Sequence, residues 1–209
     1  MTPGWEPESW KEKEKLLKSL RFVVGGCVRG GTTYFANALR KCLPDWRIGH
    51  ETIFNRDGVA WHLLLVDRCH VDVSGLTPYH VKSLIKAKIP IVHLARHPVP
   101  SINSLIKYKP FGVVDFDTAC NRWYECHRKM SEAGGLEANN SYGLYNFIRL
   151  EDMELFFPHL CGKLHIPFVK ESICVDRGRS TPSTEYVWDD LPWNVKNLAI
   201  TLGYGGANV

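Results

Sequence analysis

Short apolar runs alternate along the chain with longer segments in which apolar residues recur every three or four positions. The runs predict buried strands, and the longer spacing predicts helices. Continuous apolar strands separated by helices are typical of parallel sheets covered on both faces. We therefore predict an α/β fold with three layers (α/β/α) and a mainly parallel central sheet. The predicted strands are Arg21–Gly25, Trp46–Gly49, Val71–Ser74, Ile89–Ala95 and Tyr142–Leu150.

Helix boundaries follow from capping and breaking residues. Thr77-Pro78 pairs an N-cap with a proline at the first helical position, and Glu151-Asp152 is expected to cap a helix beginning at Met153. Gly134-Gly135 is expected to end the helix that begins at Phe116. The predicted helices are Ser9–Leu20, Tyr34–Cys42, Thr77–Ala87, Pro98–Ile106, Phe116–Ala133, Met153–Leu164 and Trp193–Leu202.

Composition narrows the class of protein. The 209 residues are 44% hydrophobic, which is enough for a sizeable core in one domain and excludes a disordered chain. No apolar run reaches the ~18–20 residues of a membrane span. The charged first 18 residues lack the apolar centre of a signal peptide, so we expect a soluble, cytoplasmic protein. The seven Cys form no C-x-x-C pair, which is typical of buried thiols in a reducing compartment.

Charge and histidine spacing limit the partners. The net charge of +4 is too small for the dense basic stripe of a nucleic-acid binder, so no nucleic-acid partner is expected, but it suits a small anionic ligand. Cys126 and His127 are adjacent on a predicted helix and face different directions, so no metal site is expected. His93 lies inside a strand and is expected to be a hydrogen-bonded residue of the core or of the sheet edge.

A glycine-rich turn, residues 26–33 (GCVRGGTT), connects the first strand to its helix. A strand, such a turn and a helix together present backbone N–H groups to an anion. Gly26 and Gly31 match the glycines of the P-loop G-x-x-x-x-G-K-[ST], but Thr32 replaces the lysine. A kinase or NTPase needs that lysine and a metal to neutralise the transferred phosphate. The cation of this turn is Arg29.

A second arginine, Arg96, follows the strand Ile89–Ala95. A magnesium-dependent nucleotide hydrolase offers an aspartate at such a strand end, whereas an arginine binds an anion directly. The carboxyl ends of parallel strands meet at one edge, where open α/β sheets bind ligands. We therefore expect Arg29 and Arg96 to share one cavity and to bind a polyanionic ligand without a metal.

Three segments resemble the signatures of sulfotransferases that use 3′-phosphoadenosine 5′-phosphosulfate (PAPS). Residues 29–33 (RGGTT) are similar to that family's [KR]-[SAG]-G-T-T loop. Arg96-His97-Pro98, with Ser104 eight residues after Arg96, resembles its R-x-P signature and the serine that follows it. Phe147–Met153 (FIRLEDM) is similar to its Y-E-D-L segment.

A fourth segment, Arg177-Gly178-Arg179 before Pro182, resembles the late basic-glycine loop of the Golgi and bacterial members. The resemblance implies a fold like that of P-loop nucleotide hydrolases. It also implies a single sulfotransferase-like domain over 1–209, with a charged N-terminal helix in 1–20, a nucleotide-binding core in 21–182 and a C-terminal helix and tail in 183–209.

The resemblance also implies roles for the matched residues. The loop amides would bind the 5′-phosphosulfate, and Arg29 would lie near the bridging oxygen, where negative charge grows. Arg96 and Ser104 would bind the 3′-phosphate, with Ser101 as a weaker substitute for Ser104. Tyr34 either borders the nucleotide or packs in the core. The implied cofactor-binding residues are Arg29, Gly30, Gly31, Thr32, Thr33, Tyr34, Arg96, Ser104, Arg177, Gly178 and Arg179.

Transfer to a hydroxyl or amine requires a base that removes the acceptor's proton. Glu51 and His50 lie just past the second predicted strand, whose end is expected to open onto the same crevice. Glu51 lies 22 residues after Arg29, a distance similar to that of a glutamate in related bacterial members, so Glu51 is the first candidate and His50 the second. A solvated carboxylate and a structural histidine are the alternatives.

The predicted function is sulfuryl transfer from PAPS, with 3′-phosphoadenosine 5′-phosphate (PAP) as product and no metal. Two other classes stay open: a small-molecule or nucleoside kinase with a degenerate P-loop, and a non-catalytic nucleotide-binding protein. The acceptor is expected to be a small molecule or a glycan, at a pocket that the chain completes alone or as a homo-oligomer. The segments 55–68 and 107–117 are expected to line the acceptor side.

Overall fold

A computed structural model describes residues 5–55, 58–66, 69–138, 145–173 and 185–205. The strands are β1 (Phe22–Gly26), β2 (Ile48–His50), β3 (Phe54–Asn55), β4 (Gly58–Val59), β5 (Val71–Ser74), β6 (Ile91–Ala95) and β7 (Tyr145–Arg149). The helices are α1 (Trp10–Leu17), α2 (Thr32–Cys42), α3 (Trp61–Val66), α4 (Val81–Lys86), α5 (Pro98–Tyr108), α6 (Phe116–Ala138), α7 (Met153–Lys163) and α8 (Trp193–Thr201).

The central sheet has five strands in the order β2-β5-β1-β6-β7, and every neighbouring pair is parallel. Every residue of β1 and β6 is buried, because helices cover both faces. Alternate residues face opposite sides: Phe22 and Val24 pack in the cluster of α2 and α7, and Val23 packs in the cluster of α4 and α6. The predicted three-layer α/β/α fold with a parallel sheet is confirmed.

Most predicted elements are present within a few residues, and Val71–Ser74 agrees at both ends. The helix predicted to end at Gly134-Gly135 instead continues to Ala138. A Cβ on Gly134 would lie 2.7 Å from the Tyr145 ring, so the glycine allows close packing of α6 on β7 rather than breaking the helix. The antiparallel pair β3–β4 and the helix α3 were not predicted, because elements of two to six residues are too short to show a period.

The predicted helix start at Thr77 is also displaced. Thr77–Tyr79 forms a 3-10 turn, and α4 begins at Val81. The Thr77 hydroxyl donates to the carbonyl of Val24 on β1, 3.4 Å away, so this side chain joins the turn to the sheet instead of capping a helix. Among the helices within the described ranges, none is both long and apolar enough to cross a membrane.

Candidate functional site

The turn between β1 and α2 depends on two residues with positive φ, Arg29 (+67°) and Gly31 (+93°). The N–H of Gly30 donates to the carbonyl of Cys27 at 2.8 Å, and a Cβ on Gly30 would lie 2.6 Å from that oxygen. Gly31 is the N-cap of α2 and makes no side-chain cap. The first N–H groups of α2 therefore point at the carboxyl edge of the sheet without a capping side chain, as an anion site requires.

The side chain of Arg29 is fixed by helix α5, which follows β6. Its Nε donates to Oγ of Ser104 at 3.0 Å, and its guanidinium lies 4.0 Å from the ring centre of Tyr108. Ser104 is buried, whereas Arg29 and Tyr108 are exposed. The structure thus brings together two residues that the sequence assigned to different parts of the site, and it adds Tyr108, which the sequence analysis missed.

Arg96 follows β6, the immediate neighbour of β1 in the sheet. Its Nη1 donates to the backbone carbonyl of Arg29 at 3.2 Å, so the side chain of Arg96 contacts the main chain of the glycine-rich turn. Burial lowers the pKa of the Arg96 guanidinium, and the charge of Arg29 acts in the same direction. Glu151 and Tyr204 oppose that shift and favour the charged form.

Glu151 joins three parts of the chain beside Arg96. Its Oε1 accepts from the backbone N–H of His97 at 2.9 Å, and its Oε2 accepts from the Tyr204 hydroxyl at 3.1 Å. The predicted capping of α7 by Glu151-Asp152 is therefore wrong. Asp152 occupies the N-cap position, but its carboxylate pairs with Arg149 instead of the helix N–H groups.

His97, whose N–H donates to Glu151, is buried and neutral. Its Nδ1 accepts from the N–H of Val99 and so caps α5, while its ring lies against Trp188 and Tyr204. Burial lowers the pKa of His97 to about 4. This histidine therefore packs and caps beside Arg96 and adds no positive charge at neutral pH.

His50 ends β2 and reaches the loop from the other side. Its Nε2 lies 3.1 Å from Oγ1 of Thr32 and 3.3 Å from Oγ1 of Thr33, the first residues of α2. Glu51 follows with φ +55°, and its N–H continues the sheet by donating to the carbonyl of Val73 at 3.0 Å. One of the two candidate bases thus contacts the loop directly, and the other lies at the turn beside it.

Asp72 is a buried carboxylate that the sequence analysis missed. It lies on β5, where it accepts from the N–H of Thr52 at 3.2 Å and from the N–H of Phe54 at 3.3 Å. Burial raises its pKa, while these hydrogen bonds and the nearby His50 oppose the rise. Asp72 therefore holds the turn after β2. An acidic residue inside the apolar run Val71–Ser74 was the signal that could have identified it.

Tyr34 and Asn103 contact the residues on either side of segment 174–184, namely Ile173 and Tyr186. The Tyr34 hydroxyl donates to the carbonyl of Ile173 at 2.8 Å, and its ring packs against the core of α2 and α7. Asn103 on α5 bonds both the N–H and the carbonyl of Tyr186, at 3.1 and 2.9 Å. Ser101 is buried, and its hydroxyl has no partner in the described part of the chain. The predicted Arg177, Gly178 and Arg179 lie outside the described residues.

His93 is a hydrogen-bonded core residue, as predicted. Its Nδ1 lies 2.5 Å from the Tyr145 hydroxyl, and its Nε2 lies 2.8 Å from Nδ1 of His127 on α6. Burial lowers the pKa of both histidines, that of His127 to about 3. Within the ranges that the structure covers, no three His, Cys, Asp or Glu residues lie together as metal ligands would.

No protein-family profile and no curated protein matches this chain. Solved structures do match it. The sulfotransferase domain from the curacin biosynthetic pathway is 13% identical, with 89% of this chain and 98% of that one covered and a TM-score of 0.60. The corresponding domain of the Synechococcus PCC 7002 olefin synthase is 12% identical, with 88% and 94% covered and a TM-score of 0.59.

Mouse sulfotransferase SULT7A1, solved in complex with PAP, is 13% identical, with 78% of this chain and 67% of that one covered and a TM-score of 0.52. The three similar structures share one description, sulfotransferase, and the first two are covered almost from end to end. This chain therefore has the sulfotransferase fold.

Proposed function

We propose that this chain with the sulfotransferase fold is a PAPS-dependent sulfotransferase, which moves a sulfuryl group to a hydroxyl or amine of a small molecule or glycan and releases PAP. The observation that carries the proposal is the contact between Arg96 Nη1 and the Arg29 carbonyl beside the start of α2. Two guanidinium groups and a row of backbone N–H groups suit a ligand that bears phosphate at two ends.

Arg96 and Ser104 are the proposed ligands of the 3′-phosphate. A guanidinium fork matches the geometry of phosphate oxygens, and the charge of Arg96 persists at neutral pH. The Ser104 hydroxyl accepts from Arg29 Nε, which leaves its own proton available for a phosphate oxygen. By resemblance, Arg177 and Arg179, with Gly178 between them, would complete this end.

The 5′-phosphosulfate is proposed to lie against the N–H groups of residues 30–33. Arg29 stabilises the charge that grows on the bridging oxygen as the S–O bond breaks. Arginine stays protonated, so it gives no proton to the leaving PAP and acts by charge and hydrogen bonding alone. Tyr34 lies in the first turn of α2, and the edge of its ring would contact the nucleotide.

His50 is the base that the geometry favours. In the proposed step, the acceptor oxygen or nitrogen forms a bond to sulfur while the bond between sulfur and the bridging oxygen breaks. PAP leaves with that electron pair, and the acceptor's proton passes to Nε2 of His50. The contacts of this nitrogen with Thr32 and Thr33 place it beside the loop. Glu51 stays the second candidate.

Calorimetric titration with PAP and with ATP, each with and without magnesium, tests the proposal. We expect micromolar affinity for PAP that does not depend on magnesium and that Arg96→Ala abolishes. Arg21→Ala is the matched control, because Arg21 is an exposed arginine at the opposite end of β1. Tighter binding of ATP with magnesium would favour the kinase, and PAP binding without transfer to any acceptor would favour the non-catalytic protein.

A further inference from the structure

The guanidinium of Arg29 is held at two places by one helix. Its Nε donates to Ser104, and its Cζ lies over the Tyr108 ring, 4.0 Å from the ring centre. Both contacts are possible at once because a guanidinium has several N–H donors and can also lie over an aromatic ring. The contact with Ser104 uses Nε and not the Nη groups.

Ser104 and Tyr108 are four residues apart on α5 and therefore lie on the same side of the helix. Helix α5 begins beside Arg96, where the side chain of His97 caps its first turn. It ends at Tyr108, because Lys109 adopts φ +45°. Ser104 is 3% exposed and Tyr108 is 53% exposed. The buried serine thus bonds the guanidinium on its inner side, and the exposed tyrosine contacts it at the surface.

We propose that Tyr108 is a positioning residue: with Ser104 it fixes the plane of the Arg29 guanidinium, so that the two Nη groups are directed at the 5′-phosphosulfate end of the nucleotide. This inference rests on the proposed function and deepens it.

The test compares Tyr108→Leu, which removes the ring, with Tyr108→Phe, which keeps it. PAP is the probe, because its 5′-phosphate is the group that Arg29 is proposed to face. We expect Tyr108→Leu to weaken PAP binding about 2- to 5-fold, the effect of one exposed cation–π contact, and Tyr108→Phe to leave it unchanged. Tyr79→Leu is the matched control, since Tyr79 also lies beneath a cation, Lys129 at 4.1 Å, but belongs to another surface.

A double-mutant cycle distinguishes positioning from a general loss of structure. In an Arg29→Ala background, Tyr108→Leu is expected to have no further effect on PAP binding. The same cycle in urea unfolding without nucleotide measures the coupling of residues 29 and 108 independently of any ligand. An equal loss with and without Arg29, or no difference between the Leu and Phe variants, would overturn the inference. Failure of the wild-type chain to bind PAP would instead overturn the proposed function, whatever the coupling in the free protein.

Discussion

His50 Nε2 lies 3.1 Å from Oγ1 of Thr32, so the end of β2 is in hydrogen-bond contact with the start of α2. Helix α2 follows β1, and β1 is not the neighbour of β2 in the sheet, because β5 lies between them. The contact therefore depends on the strand order and could not arise locally. It places a group that can accept a proton beside the N–H groups proposed to bind the phosphosulfate.

Variants of His50 and Glu51 distinguish which of these two residues is the base. We expect His50→Ala to reduce PAP formation from PAPS roughly 10²–10⁴-fold, the usual contribution of a general base, with PAP affinity within twofold of wild type. Glu51→Gln is the comparison and is expected to have a smaller effect. Rates are measured with an acceptor that the wild-type chain uses, identified from a panel of phenols, sugars and amines. A larger loss in Glu51→Gln than in His50→Ala would reverse the assignment.

Ser104 and Ser101 form a natural pair for testing the 3′-phosphate site. We expect Ser104→Ala to weaken PAP binding about tenfold or more, because a hydrogen bond to a charged group contributes about 1.5–3 kcal/mol. Ser101→Ala should leave the affinity unchanged, since its hydroxyl is buried without a partner in the described part of the chain. Calorimetry on both variants is the measurement. Equal losses would show that the helix as a whole, and not the Ser104 hydroxyl, supports binding.

Asp72→Asn is expected to destabilise the fold. The amide nitrogen of asparagine would face one of the backbone N–H groups of Thr52 and Phe54, leaving a buried donor without an acceptor. We expect a loss of about 1–3 kcal/mol in the free energy of unfolding in urea. Asp45→Asn, at an exposed position, is the control and should change little. A fully stable Asp72→Asn variant would show that the turn after β2 does not depend on this carboxylate.

Three buried histidines predict a loss of stability in mild acid. Burial lowers the pKa of His97 to about 4, that of His127 to about 3, and that of His93 well below its ordinary value of 6.5. Below pH 6.5 the unfolded chain takes up protons that the folded chain does not, so the free energy of unfolding rises with pH in this range. Their contribution is complete above pH 6.5 and is lost as the pH falls toward the folded values.

Urea unfolding between pH 7.5 and pH 5 measures this dependence. We expect stability to fall steadily with pH, and His97→Asn to make the slope shallower. Asparagine is a good N-cap residue that does not titrate, so it retains the capping acceptor of α5 while removing one ionisable group. A slope identical to that of the wild type would mean that His97 is not among the groups responsible.

The strands and their common edge could be predicted because parallel strands covered on both faces must be apolar throughout. The run around β6 and the run around β1 met that condition, and their carboxyl ends then had to lie side by side. This is why the proximity of Arg29 and Arg96 was accessible from the sequence. The contact of Arg29 with Tyr108 was not, because it depends on the side-chain conformation of an exposed arginine and on where α5 ends.

Two of the errors, at Glu151 and at Gly134, share one cause, which is that tertiary contacts overrode local signals. Glu151 has the local pattern of a helix cap, but it accepts hydrogen bonds from His97 and Tyr204, far away in the sequence. Gly134 has the local pattern of a helix end, but it lies inside α6 because Tyr145 packs against it. The local pattern around a capping or breaking residue does not reveal which residue from another element will contact it.

Thr32 and Arg96 together limit how this loop could become one that uses magnesium and ATP. A lysine at position 32 would introduce a cation at a buried site beside His50, while Arg96 would still offer no carboxylate for a magnesium ion. Conversion to an ATP-hydrolysing loop would therefore need coordinated changes on two neighbouring strands, and either change alone would leave the edge unsuited to both kinds of nucleotide.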